Sequence, residues 1–204
     1  MRNNFAGFNS ILSTTRPWPR RDNSDETLIA KIASGNRLAM QVLYARHHTR
    51  VHRFLLRWTG NAAIAEDLTA DVFLIAWRHA DRFDGSSTVS TSLIAIARRK
   101  AESELRRRPQ ALSNAHDEAI IDPVDDREIV ARGKDDGEVL RQCLMRLTRE
   151  HREIIDLVYY HGKSEQEVAR IVGISRDEVR SRMLRARTRL SELAAAKEET
   201  AYVR

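Results

Sequence analysis

The sequence predicts an all-α fold: two small helical domains, the C-terminal one containing a helix-turn-helix, joined by an acidic flexible linker. The first observation is that the 204 residues include only 8 glycines and 4 prolines, whereas alanine, leucine, arginine and glutamate are abundant, a composition typical of helices. The second is an acidic segment, residues 109–137, that interrupts the helical periodicity. The third is a pair of helix-start signals on either side of one glycine near the C-terminus.

Residues 1–23 are predicted to form a flexible N-terminal arm, because they contain Pro17 and Pro19 and show no sustained periodicity. The net charge of +6 favours a polyanionic partner. The one cysteine excludes an internal disulfide, and no apolar run reaches the roughly 18 residues of a membrane span. We therefore expect a cytoplasmic protein without a membrane span.

The first helical domain is predicted over residues 24–108 and holds four helices. The first ends at Gly35 and the second at Gly60, since apolar residues recur at helical spacing up to each glycine. Asn61 caps the third helix, AAIAEDLTADVFLIAWRHADRF. A polar loop, DGSSTVST, leads to the fourth helix, SLIAIARRKAESELRRR, which Pro109 stops.

The linker and the second domain follow. Residues 109–137 carry eight acidic and three basic residues with few large apolar ones, a composition typical of a segment between domains. Helical periodicity resumes at Val139, so the second domain is predicted over residues 138–196, followed by a tail at 197–204. Cys143 lies on the apolar stripe and is predicted to be a small core residue.

The helix-turn-helix is predicted from two capping boxes, Ser164 with Glu167 and Ser175 with Glu178, which fix two helix starts. Gly173 supplies the left-handed residue that ends the first of these helices. On a helical wheel the second helix has one narrow apolar stripe, formed by Val179, Met183, Ala186, Leu190 and Leu193.

The opposite face and the flanks of this second helix suit the major groove of DNA, where central side chains contact base edges and flanking arginines hold phosphates. Arg185 is the best candidate for a bidentate contact to guanine. The alternative is an ordinary basic amphipathic helix with a solvated face. The full set of candidate DNA contacts is Arg176, Asp177, Glu178, Arg180, Ser181, Arg182, Leu184 and Arg185.

Segments in both predicted domains resemble a known family. REHREIIDL and GISRDEVRSRMLRARTRL resemble the −35-binding domain of bacterial sigma factors of the extracytoplasmic-function (ECF) class, and AEDLTADVFLIAWRHADRF with the fourth helix resembles the −10-binding, polymerase-binding domain. The resemblance implies an alternative sigma factor that binds core RNA polymerase and directs transcription initiation, and that is not an enzyme. It implies no catalytic residue, cofactor or metal.

The resemblance also implies partners and sites. The first domain would bind the coiled coil of the largest polymerase subunit and melted −10 DNA, the second the flap of the second-largest subunit and −35 DNA, and an anti-sigma factor would inhibit the protein. The implied polymerase contacts are Glu66, Asp67, Asp71, Phe73, Leu74 and Trp77. The implied −10 contacts are Ser86, Ser87, Thr88, Arg98, Arg99 and Lys100, the serines and threonine lying in a base-capturing loop, residues 84–91.

The chain departs from the family at two positions and leaves two alternatives open. The family usually has tryptophan where this chain has Ser92 and asparagine where it has Arg99. The helix-turn-helix alone would also suit a free-standing transcriptional regulator that acts without polymerase. His48 and His52 are spaced to share a metal ion, but the sequence offers no third ligand at a suitable spacing. We therefore predict that both histidines are ordinary surface residues.

Overall fold

A computed structural model describes residues 24–107 and 134–202. Within these ranges every regular element is helical, as the sequence predicts. The eight α-helices are α1 (Asp25–Ala33), α2 (Arg37–Thr59), α3 (Ala62–Arg78), α4 (Val89–Arg107), α5 (Lys134–Met145), α6 (Arg149–Ile155), α7 (Glu165–Val172) and α8 (Arg176–Tyr202). A 3₁₀ turn follows α3 at Ala80–Arg82, and a π-helical turn follows α6 at Asp156–Tyr160.

The helix ends follow the predicted capping chemistry. Asn36 and Asn61 accept hydrogen bonds from the backbone of the first turns of α2 and α3. Gly60 ends α2 in the left-handed conformation, with φ of 64°. Two boundaries differ from the prediction: α3 ends at Arg78, before the 3₁₀ turn, and α4 begins at Val89 rather than Ser92. The earlier start arises because the Thr88 hydroxyl accepts a hydrogen bond from the Thr91 amide.

The first four helices form one bundle. α2 lies at its centre and packs against α1, α3 and α4. The side chains at the middle of the bundle are fully buried: Leu43, Val51, Phe54, Leu55, Val72, Leu93 and Ile94. Burial of this apolar surface is the main stabilising contribution to the first half of the protein.

The last four helices pack around α8. Val179, Ala186 and Leu193 are buried on one face of α8, and Met183 and Leu190 pack beside them, which confirms the apolar stripe predicted from the wheel. Cys143 is 1% exposed in the cluster between α5 and α8, so the prediction of a core cysteine is confirmed.

The two halves share a core, a feature that the sequence does not indicate. The apolar cluster of the first bundle continues through Ile154, Leu157 and Val168 of the second half. The ring of Phe54 meets that of His161 edge-on, with centroids 5.5 Å apart. α4 also packs directly against α7. The described halves are therefore in contact with each other as well as joined through the linker.

Two predicted boundaries shift at the ends of the second half. α5 begins at Lys134, so the last four residues of the predicted linker are helical. α8 continues to Tyr202 through most of the predicted tail, because no proline or glycine interrupts it. The predicted arm and the rest of the linker lie outside the described residues. Among the described helices, none has the length and apolar character needed to span a membrane.

Candidate nucleic-acid interface

The helix-turn-helix is built by α7 and α8. Ser164 and Glu167 form a complete capping box: the Glu167 amide donates to the Ser164 hydroxyl, and the Glu167 carboxylate accepts from the Ser164 amide. Gly173 has φ of 80°, and its amide donates to the carbonyl of Ala169. This geometry confirms the predicted sequence of helix, glycine turn and helix.

The second capping box is only half formed. The Ser175 hydroxyl accepts from the Glu178 amide at 3.1 Å, as predicted. The Glu178 carboxylate does not reach back to the cap; it accepts from Nε of Arg182 at 2.7 Å instead. A hydrogen bond from the guanidinium, one helical turn away, lowers the pKa of Glu178.

The predicted DNA contacts on α8 divide into paired and unpaired arginines. Arg176 and Arg180 both face the carboxylate of Glu165, at 3.7 and 2.8 Å. Arg182 bridges Glu178 and Glu150. Arg185 is exposed and forms no hydrogen bond or ion pair through its side chain with any residue in the described ranges. Its guanidinium is therefore available to a ligand.

The remaining predicted contacts of α8 differ in exposure. Leu184 is 68% exposed, which is unusual for a large apolar side chain and suits contact with a thymine methyl group. Asp177 is exposed and Ser181 is half-buried. Arg187 was not among the predicted contacts, yet it is exposed and unpaired within the described part of the chain. Its spacing of seven residues from Arg180 was the signal that places both on one flank of the helix.

The predicted −10 loop is held by its own side chains. The Asp84 carboxylate accepts from the Ser86 amide at 2.9 Å, a backbone hydrogen bond that lowers the pKa of Asp84. The hydroxyls of Ser87 and Ser92 lie 2.9 Å apart. Ser92, where the family usually has tryptophan, therefore fastens the loop by a hydrogen bond rather than by aromatic packing.

The second half of the chain covers this loop. Arg170 of α7 donates a hydrogen bond to the backbone carbonyl of Ser86. The Thr88 hydroxyl donates to the Glu167 carboxylate at 3.4 Å. The predicted −10 loop and the helix-turn-helix are thus in direct contact.

The three predicted −10 cations of α4 differ in how accessible they are. Arg98 is largely buried and pairs with Glu153, with Nε and Oε1 2.6 Å apart, and with Glu102. Lys100 pairs with Asp71 at 2.7 Å. Arg99 is exposed, and among the described residues its Nε donates only to the carbonyl of Ala95, one turn back on the same helix. Arg99 is therefore the most accessible of the three predicted −10 cations.

The predicted polymerase contacts on α3 occupy three environments. Glu66 and Asp67 are exposed, and Leu74 is 45% exposed, whereas Asp71 and Trp77 are half-buried. Phe73 is 3% exposed and packs on the ring of Tyr44 at 4.8 Å. Its predicted surface contact is wrong for this structure, because α2 covers that side of α3.

Glu66 lies beside two of the three histidines of α2, His48 and His52. Nε2 of His48 and Nε2 of His52 each lie 3.6 Å from one oxygen of the Glu66 carboxylate. Burial, with a smaller effect of the nearby Glu66 charge, raises the pKa of Tyr44 beside them. Within the described ranges, no group of three or more histidine, cysteine or acidic side chains is arranged to hold a metal ion.

The contact between the halves is rich in charge. Arg57 pairs with Asp156 of the π-helical turn at 2.7 Å, and Arg149 stacks on the ring of Trp58 at 4.0 Å. Burial raises the pKa of Glu153 against the opposing effect of its hydrogen bond from Arg98. These charged contacts fix how the two halves pack against each other.

Comparisons with known proteins agree with this architecture. Family models for sigma-70 region 2 and sigma-70 region 4 match residues 43–110 and 137–190. The ECF RNA polymerase sigma factor SigM of Mycobacterium tuberculosis H37Rv is 32% identical over 177 residues, which is 85% of this chain and 86% of the relative. SigK of Mycobacterium bovis BCG is 26% identical over 170 residues, covering 81% of this chain and 90% of that protein.

Two solved complexes are similar in fold. CnrH in complex with the cytosolic domain of CnrY has a TM-score of 0.61 and 26% identity, covering 84% of this chain and 97% of the other. The sigma factor RpoE of Bartonella quintana, in complex with the anti-sigma factor NepR, has a TM-score of 0.57 and 26% identity, covering 75% and 94%.

Proposed function

This chain belongs to the sigma-70 family, in its ECF class, and from that premise we propose which of its residues bind each promoter element and core RNA polymerase. The protein is an alternative sigma factor that directs promoter-specific transcription initiation. Its described part is a scaffold of helices with surface contacts, and we assign it a binding role with no catalytic residue of its own.

The −35 element is read by α8. The observation that carries this assignment is the exposed Arg185, which pairs with no described residue and lies on the outward face of the second helix of the helix-turn-helix. Arg185 would contact a guanine edge bidentately, and Leu184 would pack on a neighbouring base. The other contacts are Arg176, Asp177, Glu178, Arg180, Ser181 and Arg182, with Arg187 added by the structure.

The −10 element is captured by the loop before α4 and by the exposed face of α4. The hydroxyls and amides of Ser86, Ser87 and Thr88 offer hydrogen bonds to an unstacked base. Arg99 supports the strand by phosphate contact, and Arg98 and Lys100 join it where their present ion pairs open.

Core RNA polymerase binds the surface of α3. Glu66 and Asp67 present negative charge, and Leu74 and Trp77 present apolar area beside them, with Asp71 at the edge. We assign this surface to the coiled coil of the largest subunit and the second half of the chain to the flap of the second-largest subunit. The protein works in the cytoplasm, where polymerase and DNA are found.

An anti-sigma factor is the expected inhibitory partner. The two solved proteins of similar fold are complexes, one with CnrY and one with the anti-sigma factor NepR. Recovery of a co-purifying inhibitor from native cells would support this assignment, and a chain that is isolated only with polymerase would count against it.

Run-off transcription tests the proposed function. Purified core polymerase is given a randomised promoter library with and without the protein, and transcripts that depend on the protein are sequenced. The test variant is Leu74→Asp, which changes an exposed side chain of the proposed polymerase surface. It should remove the transcripts while leaving the helix-turn-helix intact. A silent polymerase, together with binding of duplex DNA by the free protein, would favour a free-standing regulator.

A further inference from the structure

The contact between α7 and the loop before α4 reaches the segment assigned to −10 DNA. It comprises Ser86 and Thr88 of the loop with Thr91 of the first turn of α4 on one side, and Glu167 and Arg170 of α7 with the preceding Lys163 on the other; we call it the loop–α7 contact. Glu167 is central, since its Oε1 accepts from the Thr91 hydroxyl at 2.5 Å and from the Thr88 hydroxyl at 3.4 Å.

The surroundings of Glu167 resemble those of a bound anion. Thr88, which immediately precedes α4, and Thr91 in its first turn contribute two hydroxyl donors, and the start of α4 contributes the positive end of a helix dipole. The ammonium of Lys163, whose side chain is 5% exposed, lies 3.6 Å from the carboxylate and donates to the hydroxyls of Ser90 and Thr91. A DNA phosphate would use the same kinds of donors.

The ionised state of Glu167 fits this role. Partial burial by itself raises the pKa of Glu167. The hydrogen bonds from Thr91 and Ser164 and the charge of Lys163 outweigh that effect and lower the pKa to about 2. The group is therefore an anion at every physiological pH.

Distance excludes reading both promoter elements while this contact holds. Elements centred near −10 and −35 lie roughly 25 base pairs apart, about 85 Å along B-DNA at 3.4 Å per base pair. The chain from Glu167 to Arg185 spans two helical segments and one turn, a path of at most about 36 Å. While the loop–α7 contact is formed, the protein cannot bind the −10 element through the loop and the −35 element through α8 at the same time.

We infer that Glu167 occupies the place of a −10 strand phosphate in the free protein, so that the loop–α7 contact and −10 DNA binding exclude each other. The inference rests on the proposed function of the loop. Arg170 acts with Glu167, because its bond to the Ser86 carbonyl holds the loop against α7. Opening by polymerase then exposes the loop and releases α8 in one step.

Two variants of opposite charge test the inference. Glu167→Gln removes a negative charge but keeps the capping box, in which glutamine substitutes for glutamate. Arg170→Ala removes a positive charge. Both weaken the loop–α7 contact, so both are expected to tighten binding of a fluorescent single-stranded 15-mer of random sequence, by about tenfold for Glu167→Gln. Simple electrostatics predicts opposite shifts for the two.

The control is Glu26→Gln, which removes the same charge from an exposed position in the first turn of α1. It should leave the affinity for the 15-mer unchanged. Core polymerase binding provides the second readout: a protein that no longer needs to open binds core more tightly, by the same factor as for the 15-mer. In the assembled holoenzyme the difference between wild type and Glu167→Gln should disappear.

The outcomes separate the two proposals. If Glu167→Gln and Arg170→Ala shift the affinities in opposite directions or not at all, while the wild type supports run-off transcription, the inference is overturned and the proposed function stands. If the wild type gives no protein-dependent transcripts with core polymerase, the proposed function itself fails.

Discussion

The sharpest prediction concerns Arg185→Ala. Because the Arg185 side chain pairs with no described residue, its loss should leave folding within about 0.5 kcal/mol of wild type. A bidentate contact to guanine discriminates by about 1–3 kcal/mol. The holoenzyme should therefore bind its selected promoter about 5- to 150-fold more weakly.

The assay is fluorescence anisotropy of the holoenzyme on a duplex from the randomised library and on the same duplex with its −35 element scrambled. Arg185→Lys keeps the charge but not the two-pronged geometry, so it should lose most of the same discrimination. Arg189→Ala is the matched control, since Arg189 is exposed on the same helix but already pairs with Glu192 at 2.9 Å. It should change both affinities little.

Salt dependence separates base contact from phosphate contact. If Arg185 contacts only phosphate, the Ala variant will weaken both duplexes equally and reduce the salt slope by about one unit. That result, or an unchanged affinity for the selected promoter, would refute the assignment of Arg185 to a base edge.

Four further predictions follow from particular residues. Phe54→Ala, at a fully buried position against Trp58 and His161, should lower the free energy of unfolding in urea by about 3–5 kcal/mol; a loss below about 1 kcal/mol would contradict the shared core. Gly173→Ala meets open space but keeps φ of 80°, so it should cost about 1–2 kcal/mol through the backbone alone, and an unchanged melting temperature would argue against the strained turn. The lowered pKa of Glu167 means that its contribution to stability is complete above about pH 4.5 and is lost as the pH falls toward about 2. The urea midpoint of Glu167→Gln should therefore change less with pH across this window than that of the wild type, and parallel profiles would disprove the linkage. Ser92→Ala removes the partner of Ser87, so amide hydrogen exchange should accelerate in residues 84–88 but not in α2.

Local signals predicted the helices well and their mutual packing poorly. Asn61, Ser164 and Gly173 each act through hydrogen bonds or backbone torsions within a few residues, so the sequence is sufficient to place them. The contact between α4 and α7 joins residues more than 70 positions apart. No periodicity in either helix specifies that pairing, and it became visible only in three dimensions.

The site residues show the same division. The apolar stripe of α8 and the exposure of Arg185 follow from a helical wheel. The family resemblance implied a surface contact for Phe73, and it could not show that Tyr44 of α2 covers that side chain. A helical wheel also could not distinguish Arg182, which pairs with Glu178 and Glu150, from Arg185, which pairs with no described residue.

The paired arginines of α8 have a consequence for how the protein searches the genome. Arg176, Arg180 and Arg182 must each exchange a carboxylate for a phosphate on arbitrary DNA, so few counterions are released for the charge that the helix carries. Dwell times on unrelated sequence should then be short. We therefore expect the helix to stay off the many non-specific sites of the chromosome until polymerase brings it to a promoter.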